Sequence, residues 1–215
     1  MAIEKERNCS REIVAVGKNL YDRFLVVGRS GNISSRLGPA SLLITATGSA
    51  LGALSAADIV KVDLSSRGHR GVSRRRAPSS ELPMHSLIYR SLPDQKIIHC
   101  HPPLTNAYFA VYPSLKELIH ETRFCLGEVP VIPQKTVTVT DPQPVIEALK
   151  RNKLVVLQNH GVVAVADRFE DAFFRIETLE SAVHIVAVAR LFKRNICDGL
   201  DAALRRRMRA QRRTR

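Results

Sequence analysis

The sequence predicts an α/β fold in which helices cover a mixed, mainly antiparallel sheet. Strand-like and helix-like segments intermingle along the chain, and several strand pairs are joined by turns too short for a crossover helix. The chain also lacks G-x-G-x-x-G and G-x-x-x-x-G-K-S/T, the fingerprints of nucleotide-binding parallel-sheet folds.

The elements follow from periodicity and punctuation. Residues 11–27, REIVAVGKNLYDRFLVV, place apolar side chains at helical spacing, and Gly28 and Gly31 end the helix and open a turn. SLLITA at 41–46 and residues 59–64 predict strands, with a connection between them and an Arg-rich loop over 65–77. Ser79 and Ser80 then lead into a helix over 81–91, where Pro83 is tolerated because it falls in the first turn. Residues 96–100 predict a strand that Pro102 and Pro103 stop, followed by a helix over 104–111. Residues 128–140 are β-rich and 141–150 form a short helix. KLVVLQ at 153–158 is a strand that Asn159-His160-Gly161 turns into a hairpin partner at 162–166. A long helix covers 168–194, and a basic, mobile tail follows from 198. The domain boundaries are therefore 1–197 and 198–215.

Composition excludes several functions. With 45% apolar and 25% charged residues the 215-residue chain can bury one core and is not globally disordered. No run of about 18 apolar residues is present, so no membrane span is expected. The N-terminal MAIEKERNCSRE lacks an apolar signal core. Cys9, Cys100, Cys125 and Cys197 follow no disulfide spacing, which predicts reduced thiols in a cytoplasmic protein. The net charge of +13 is concentrated in RGHRGVSRRR at 67–76 and in residues 193–215, which together hold 12 of those charges. The rest is near neutral, unlike a dedicated nucleic-acid domain, so nucleic acid is expected only as a non-specific contact of the tail.

The chemistry concentrates at His99-Cys100-His101. Alternate residues of a strand share a face, so both imidazoles point one way and Cys100 the other. His160, at a strand-end turn before Gly161, supplies a third. Three histidines suit a catalytic zinc that keeps a position open for substrate. Glu81, in the first helical turn after two serines, reads as a fourth ligand, a base, or a carboxylate that serves the helix dipole. Gly31-Asn32-Ile33-Ser34, Thr45-Ala46-Thr47-Gly48 and Ser79-Ser80 offer backbone N–H groups and side-chain donors that suit a phosphate. His85, one turn after Glu81, reads as a hydrogen-bonded structural histidine. His120 could support its neighbour Glu121, whereas His69 and His184 read as incidental.

In this order, GNISS at 31–35, ITATG at 44–48, DIVKVDL at 58–64, SSELPMHSLIY at 79–89, IIHCHPP at 97–103, LQNHG at 157–161 and IETLE at 176–180 resemble the class II aldolase/adducin family. The resemblance spans residues 13–190. It implies a three-layer α/β/α fold and a homotetramer with active sites near subunit interfaces. It implies one Zn2+ per subunit held by His99, His101 and His160, with Glu81 a ligand that becomes the acid/base once substrate displaces it. Gly31, Asn32, Thr47, Gly48, Ser79 and Ser80 would hold the substrate phosphate. The implied reaction is retro-aldol cleavage of a ketose 1-phosphate of the L-fuculose type, giving dihydroxyacetone phosphate and an aldehyde, with Glu81 moving the proton of the enediolate.

The chain departs from the family pattern at the proton donor. Where family aldolases carry a Tyr, this sequence has Glu121, as in a dehydratase branch that acts on methylthioribulose 1-phosphate. Glu121 is therefore a second catalytic candidate. No tyrosine follows Tyr112, which argues against the epimerase branch. The alternatives are dehydration or decarboxylation of a related sugar phosphate, and a non-catalytic assembly domain like the adducin head. The last would not need the intact His99, His101, His160 and Glu81 set.

Overall fold

The computed structural model describes residues 2–65, 76–116 and 119–212, with side chains from 3 to 192 within those ranges. One seven-stranded sheet forms the middle layer. Its strands are β1 (Asn32–Gly38), β2 (Ser41–Thr45), β3 (Ile59–Asp63), β4 (Lys96–Cys100), β5 (Val131–Pro133), β6 (Leu154–Gln158) and β7 (Gly161–Ala166), in the order β3-β2-β1-β4-β7-β6-β5. Every neighbouring pair is antiparallel except β5 with β6. The mixed, mainly antiparallel sheet is as the sequence predicts.

Successive strand residues point into two cores. On one face Leu43, Ile98, Cys100, Val162 and Ala164 pack against α1 (Ala2–Asp22), α3 (Pro103–Val111), α4 (His120–Leu126) and α6 (Phe169–Arg212). On the other, Leu42, Ile44, Ile97, Val163 and Val165 pack against α2 (Leu82–Ser91) and α5 (Gln143–Leu149). The period of two along each strand thus generates the three-layer α/β/α arrangement. It also sends His99, which shares the face of Ile97, toward α2.

Five elements differ from the sequence expectation, α6 among them. Helix α1 begins at residue 2, because residues 2–10 contain good helix formers and neither Gly nor Pro. It ends before Gly28. Phe24 adopts φ 57°, Phe24 N–H donates to Tyr21 O at 3.0 Å and Leu25 N–H to Leu20 O at 2.9 Å, a Schellman stop sealed by buried Leu20 and Leu25. Residues 32–34, expected in a turn, open β1 near the centre of the sheet, where the poor strand formers Ser34 and Ser35 pair with β2 and β4 and Asn32 pairs with β4 alone. Helix α4 was not expected, since its seven residues carry no periodic signal and no proline marks its start as one does in α5. In the β-rich stretch only residues 131–133 pair. Pro130 and Pro133 bracket them, and Val139 N–H goes to a side chain instead of a ladder.

The helical backbone of α6 runs to Arg212, past the expected end near 194, as the Ala, Leu, Arg and Met of residues 202–212 favour. The tail side chains lie outside the described residues, as do residues 66–75 of the Arg-rich loop. Arg76 is described, and it pairs with Asp58. Cys9, Cys100 and Cys125 are free thiols. Among the described residues no helix is long and apolar enough to cross a membrane.

Candidate metal centre and anion site

His99 is the fourth residue of β4, and His101 follows the strand by one residue at the Pro102 stop. His160 reaches them from the β6–β7 hairpin. There Asn159 takes φ 64° and His160 N–H donates to Leu157 O at 3.0 Å, a tight two-residue turn. Gly161 closes the approach. A Cβ there would lie 2.6 Å from His101 Cδ2 and closer still to the Cys100 carbonyl, so only glycine lets the hairpin sit against the strand end.

The three rings stand around a common point. Their centroids are 4.8–4.9 Å apart pairwise with interplanar angles of 67–74°, and one ligand nitrogen from each lies within 4.8 Å of the others. His99 Nδ1 lies 2.9 Å from Val162 O. A carbonyl only accepts, so Nδ1 carries the proton and Nε2 keeps its lone pair. That Nε2 lies 3.1 Å from His101 Nε2.

Burial holds all three rings neutral. It pushes His99 well below the usual histidine range, helped by His101 and His160, and pushes His101 down to about 4 and His160 down. His160 Nδ1 is buried without a hydrogen-bond partner. Three neutral imidazoles with converging nitrogens and one orphaned buried nitrogen fit a divalent transition metal, since histidine binds such ions as the neutral ring.

Surrounding groups hold the tripod. Asn106 Nδ2 donates to His160 O at 3.1 Å. Glu180 on α6 accepts from Leu104 N, Thr105 N and Thr105 Oγ1 at 2.9, 2.8 and 2.7 Å, pinning the start of α3 just after His101. Sequence reasoning gave Asn106, Glu180 and Val162 no role. IETLE carried the signal for Glu180, whereas a backbone acceptor such as Val162 O leaves no trace in residue type.

Glu81 stands at the N-cap position of α2 without a side-chain capping hydrogen bond and is 5% exposed. Its carboxylate accepts the Val139 N–H at 3.2 Å and lies outside the three-histidine group. Burial raises its pKa above the usual carboxylate range, partly opposed by that N–H. Glu121 sits in the first turn of α4, exposed, in a cleft of about 550 Å³ whose other walls include Arg23, Glu177 and His184 and none of the three histidines.

Two of the expected phosphate segments meet. Thr47 N–H donates to Ala77 O and Ser79 N–H to Thr45 O, both at 3.0 Å, joining the turn at 47–48 to the turn at 79–80. Thr47, Gly48 and Ser80 are exposed there, and Ser79 is buried with its Oγ accepting Glu81 N–H. Asn32 pairs with His99 across β1 and β4. Gly31, at φ +81°, packs so closely on that strand that a Cβ would lie 2.7 Å from His99 O.

This architecture has known counterparts. The family model of the class II aldolase and adducin N-terminal domain matches residues 11–187. The chain is 30% identical over 189 residues to an L-fuculose phosphate aldolase of Methanocaldococcus jannaschii, covering 86% of this chain and 98% of that protein. It is 28% identical over 194 residues to a 3-oxo-tetronate 4-phosphate decarboxylase of Pectobacterium atrosepticum, covering 87% of each. The crystal structure of L-fuculose-1-phosphate aldolase from Thermus thermophilus superposes with a TM-score of 0.76 at 28% identity, over 86% of this chain and 95% of that one. On the fold, the ordered motifs and this match over most of its length, the chain belongs to the class II aldolase/adducin family.

Proposed function

We propose that this protein is a zinc-dependent sugar-phosphate lyase that cleaves a ketose 1-phosphate of the L-fuculose type into dihydroxyacetone phosphate and an aldehyde. The observation that carries this reading is the tripod of His99, His101 and His160, neutral and convergent at the end of β4. Those three side chains would hold the ion, and zinc when bound supplies a Lewis acid for the substrate carbonyl and neighbouring hydroxyl.

The chain's own residues do the rest. Asn32, Thr47, Gly48, Ser79 and Ser80 bind the phosphate through neutral donors, with Gly31 letting Asn32 approach β4. Glu81 releases Val139 N–H to act as a further ligand or to move the substrate proton. Burial holds this carboxylate above its usual pKa, which makes it a stronger base than an exposed one. The active unit is a homotetramer with sites near subunit interfaces. Phe124 and Val137, 91% and 89% exposed, are apolar surface that a second copy would cover.

One residue, which lies in a cleft apart from the histidines of its own chain and would act on those of a neighbouring subunit, favours a second outcome. Glu121 stands where family aldolases carry Tyr, and a carboxylate is a general acid/base suited to dehydrating or decarboxylating a related sugar phosphate. The similarity to the 3-oxo-tetronate 4-phosphate decarboxylase supports the same alternative. Product analysis on zinc-loaded protein separates the readings. Release of dihydroxyacetone phosphate supports the aldolase, whereas carbon dioxide or a dehydrated ketose supports the alternative. Turnover of no ketose phosphate by metal-loaded protein contradicts both.

A further inference from the structure

Between β1 and α2 lies a buried polar chain of which the proposed chemistry uses only the first member, Asn32. Asn32 and Ser34 are two apart on β1, and His85 and Tyr89 four apart on α2, so each pair shares a face and the two faces meet. Asn32 Oδ1 lies 2.6 Å from His85 Nε2, and His85 Nδ1 lies 2.6 Å from Ser34 Oγ. Ser34 Oγ in turn lies 2.9 Å from the Tyr89 hydroxyl. All four side chains are buried, Ser34 and His85 completely.

The direction of each bond follows from donor counting. An amide oxygen has no proton, so His85 Nε2 donates to Asn32. A neutral imidazole has one N–H, so His85 Nδ1 accepts and the Ser34 hydroxyl donates. That hydroxyl has no second proton, so it accepts from Tyr89. The competing acceptor for Tyr89, Gln95 O, is farther away at 3.4 Å. Burial holds His85 neutral, which the single-proton count requires. The outcome is fixed at the far end. Asn32 Nδ2 makes no hydrogen bond among the described residues, and its two protons remain for a ligand. The reversed chain would run from Asn32 Nδ2 to Gln95 O and turn the amide oxygen, an acceptor, toward an incoming anion.

We propose that His85 is a positioning residue which, through a one-way relay from Tyr89 and Ser34, locks the Asn32 amide as an anion donor. This rests on the reading that Asn32 binds the substrate phosphate. The relay explains why a ring with two hydrogen-bonding nitrogens stands at 85. It also specifies the ligand group: Asn32 selects an acceptor-only anion and rejects a hydroxyl that needs an acceptor.

Two measurements test it on the full-length, zinc-loaded protein. The first is a long-range proton–nitrogen correlation spectrum of protein labelled with 15N-histidine. His85 is expected as the Nε2–H tautomer, and an Nδ1–H tautomer overturns the relay without any substitution. The second is titration with inorganic phosphate of the parent, Asn32→Ala, His85→Leu and His85→Gln. Asn32→Ala and His85→Leu are expected to weaken phosphate about tenfold, the loss of one hydrogen bond to a charged group. His85→Gln, whose amide can donate to Asn32 and accept from Ser34, is expected to restore affinity to within about threefold. Weakening by Asn32→Ala but not by folded His85→Leu defeats the relay and leaves the phosphate reading standing. No effect of Asn32→Ala defeats the phosphate role of Asn32 and the relay with it.

Discussion

The imidazole of His99 donates from Nδ1 to the carbonyl oxygen of Val162 on the neighbouring strand, at 2.9 Å. Because that acceptor is backbone, the pairing of β4 with β7 sets the tautomer. The sheet itself therefore aims an unprotonated Nε2 into the histidine cluster. Such second contacts orient metal-binding histidines, and losing one typically costs about 10–100-fold in metal affinity.

Gly161→Ala should damage the site without touching a ligand. The added methyl would meet His101 Cδ2 at 2.6 Å and press on the Cys100 backbone. The hairpin must then shift, taking His160 with it. The expected result is a loss of about 1–3 kcal/mol in stability and at least tenfold weaker zinc binding. Circular-dichroism melts and a competitive chelator titration measure both. Parent-like zinc affinity would show that the hairpin has slack the packing denies.

Glu81→Gln should abolish turnover more than binding. Removing a positioned acid/base typically costs about 10²–10⁴ in kcat. The three histidines should still retain zinc, so kcat falls while metal content holds. The raised pKa of Glu81 also sets the acid limb of activity. A base is lost as pH falls through its pKa, so kcat/KM should decline at a pH above the ordinary carboxylate value. A variant with parent-like kcat would remove Glu81 from the chemistry.

Acid should destabilise the fold at a pH above the ordinary carboxylate range. Burial pushes His85 down to about 3, whereas in the unfolded chain it titrates near 6.5. Between those values the unfolded state binds the extra proton, so stability falls as pH falls. The slope from this one group is about 1.4 kcal/mol per pH unit, and it ends below its folded pKa. Urea titrations at pH 7.5, 6.0 and 5.0 on metal-free protein measure it, and His85→Gln should reduce the slope. A stability that stays flat from pH 6.5 to 5 contradicts the burial of a neutral His85.

What the sequence made legible was the chemistry that depends on local pattern. His99 and His101 share a face because strands alternate, and Cys100 does lie in the opposite core. His160 was legible from a strand-ending turn before glycine. Residues 32–35 were not legible as a strand, because Asn and Ser read as turn formers until β4, and from Ser34 onward β2 as well, pair with them. The stop of α1 at Phe24 was hidden for the opposite reason: a bulky residue in the left-handed region gives no glycine signal. The contacts that finish the site join residues far apart in the chain. Val139 meets Glu81 and Glu180 meets Thr105 only once the layers are packed. His85 was legible as a structural histidine, but its partners Asn32 and Ser34 lie 53 and 51 residues away.

The central claim is that His99, His101 and His160 form a zinc site. Elemental analysis of the purified protein after incubation with zinc and desalting tests it most directly, beside a His99→Ala, His101→Ala double variant. The account predicts about one zinc ion per chain in the parent, the stoichiometry of a single three-histidine site, and none in the folded double variant. A folded parent that retains no metal, or a double variant that retains it fully, would contradict the account.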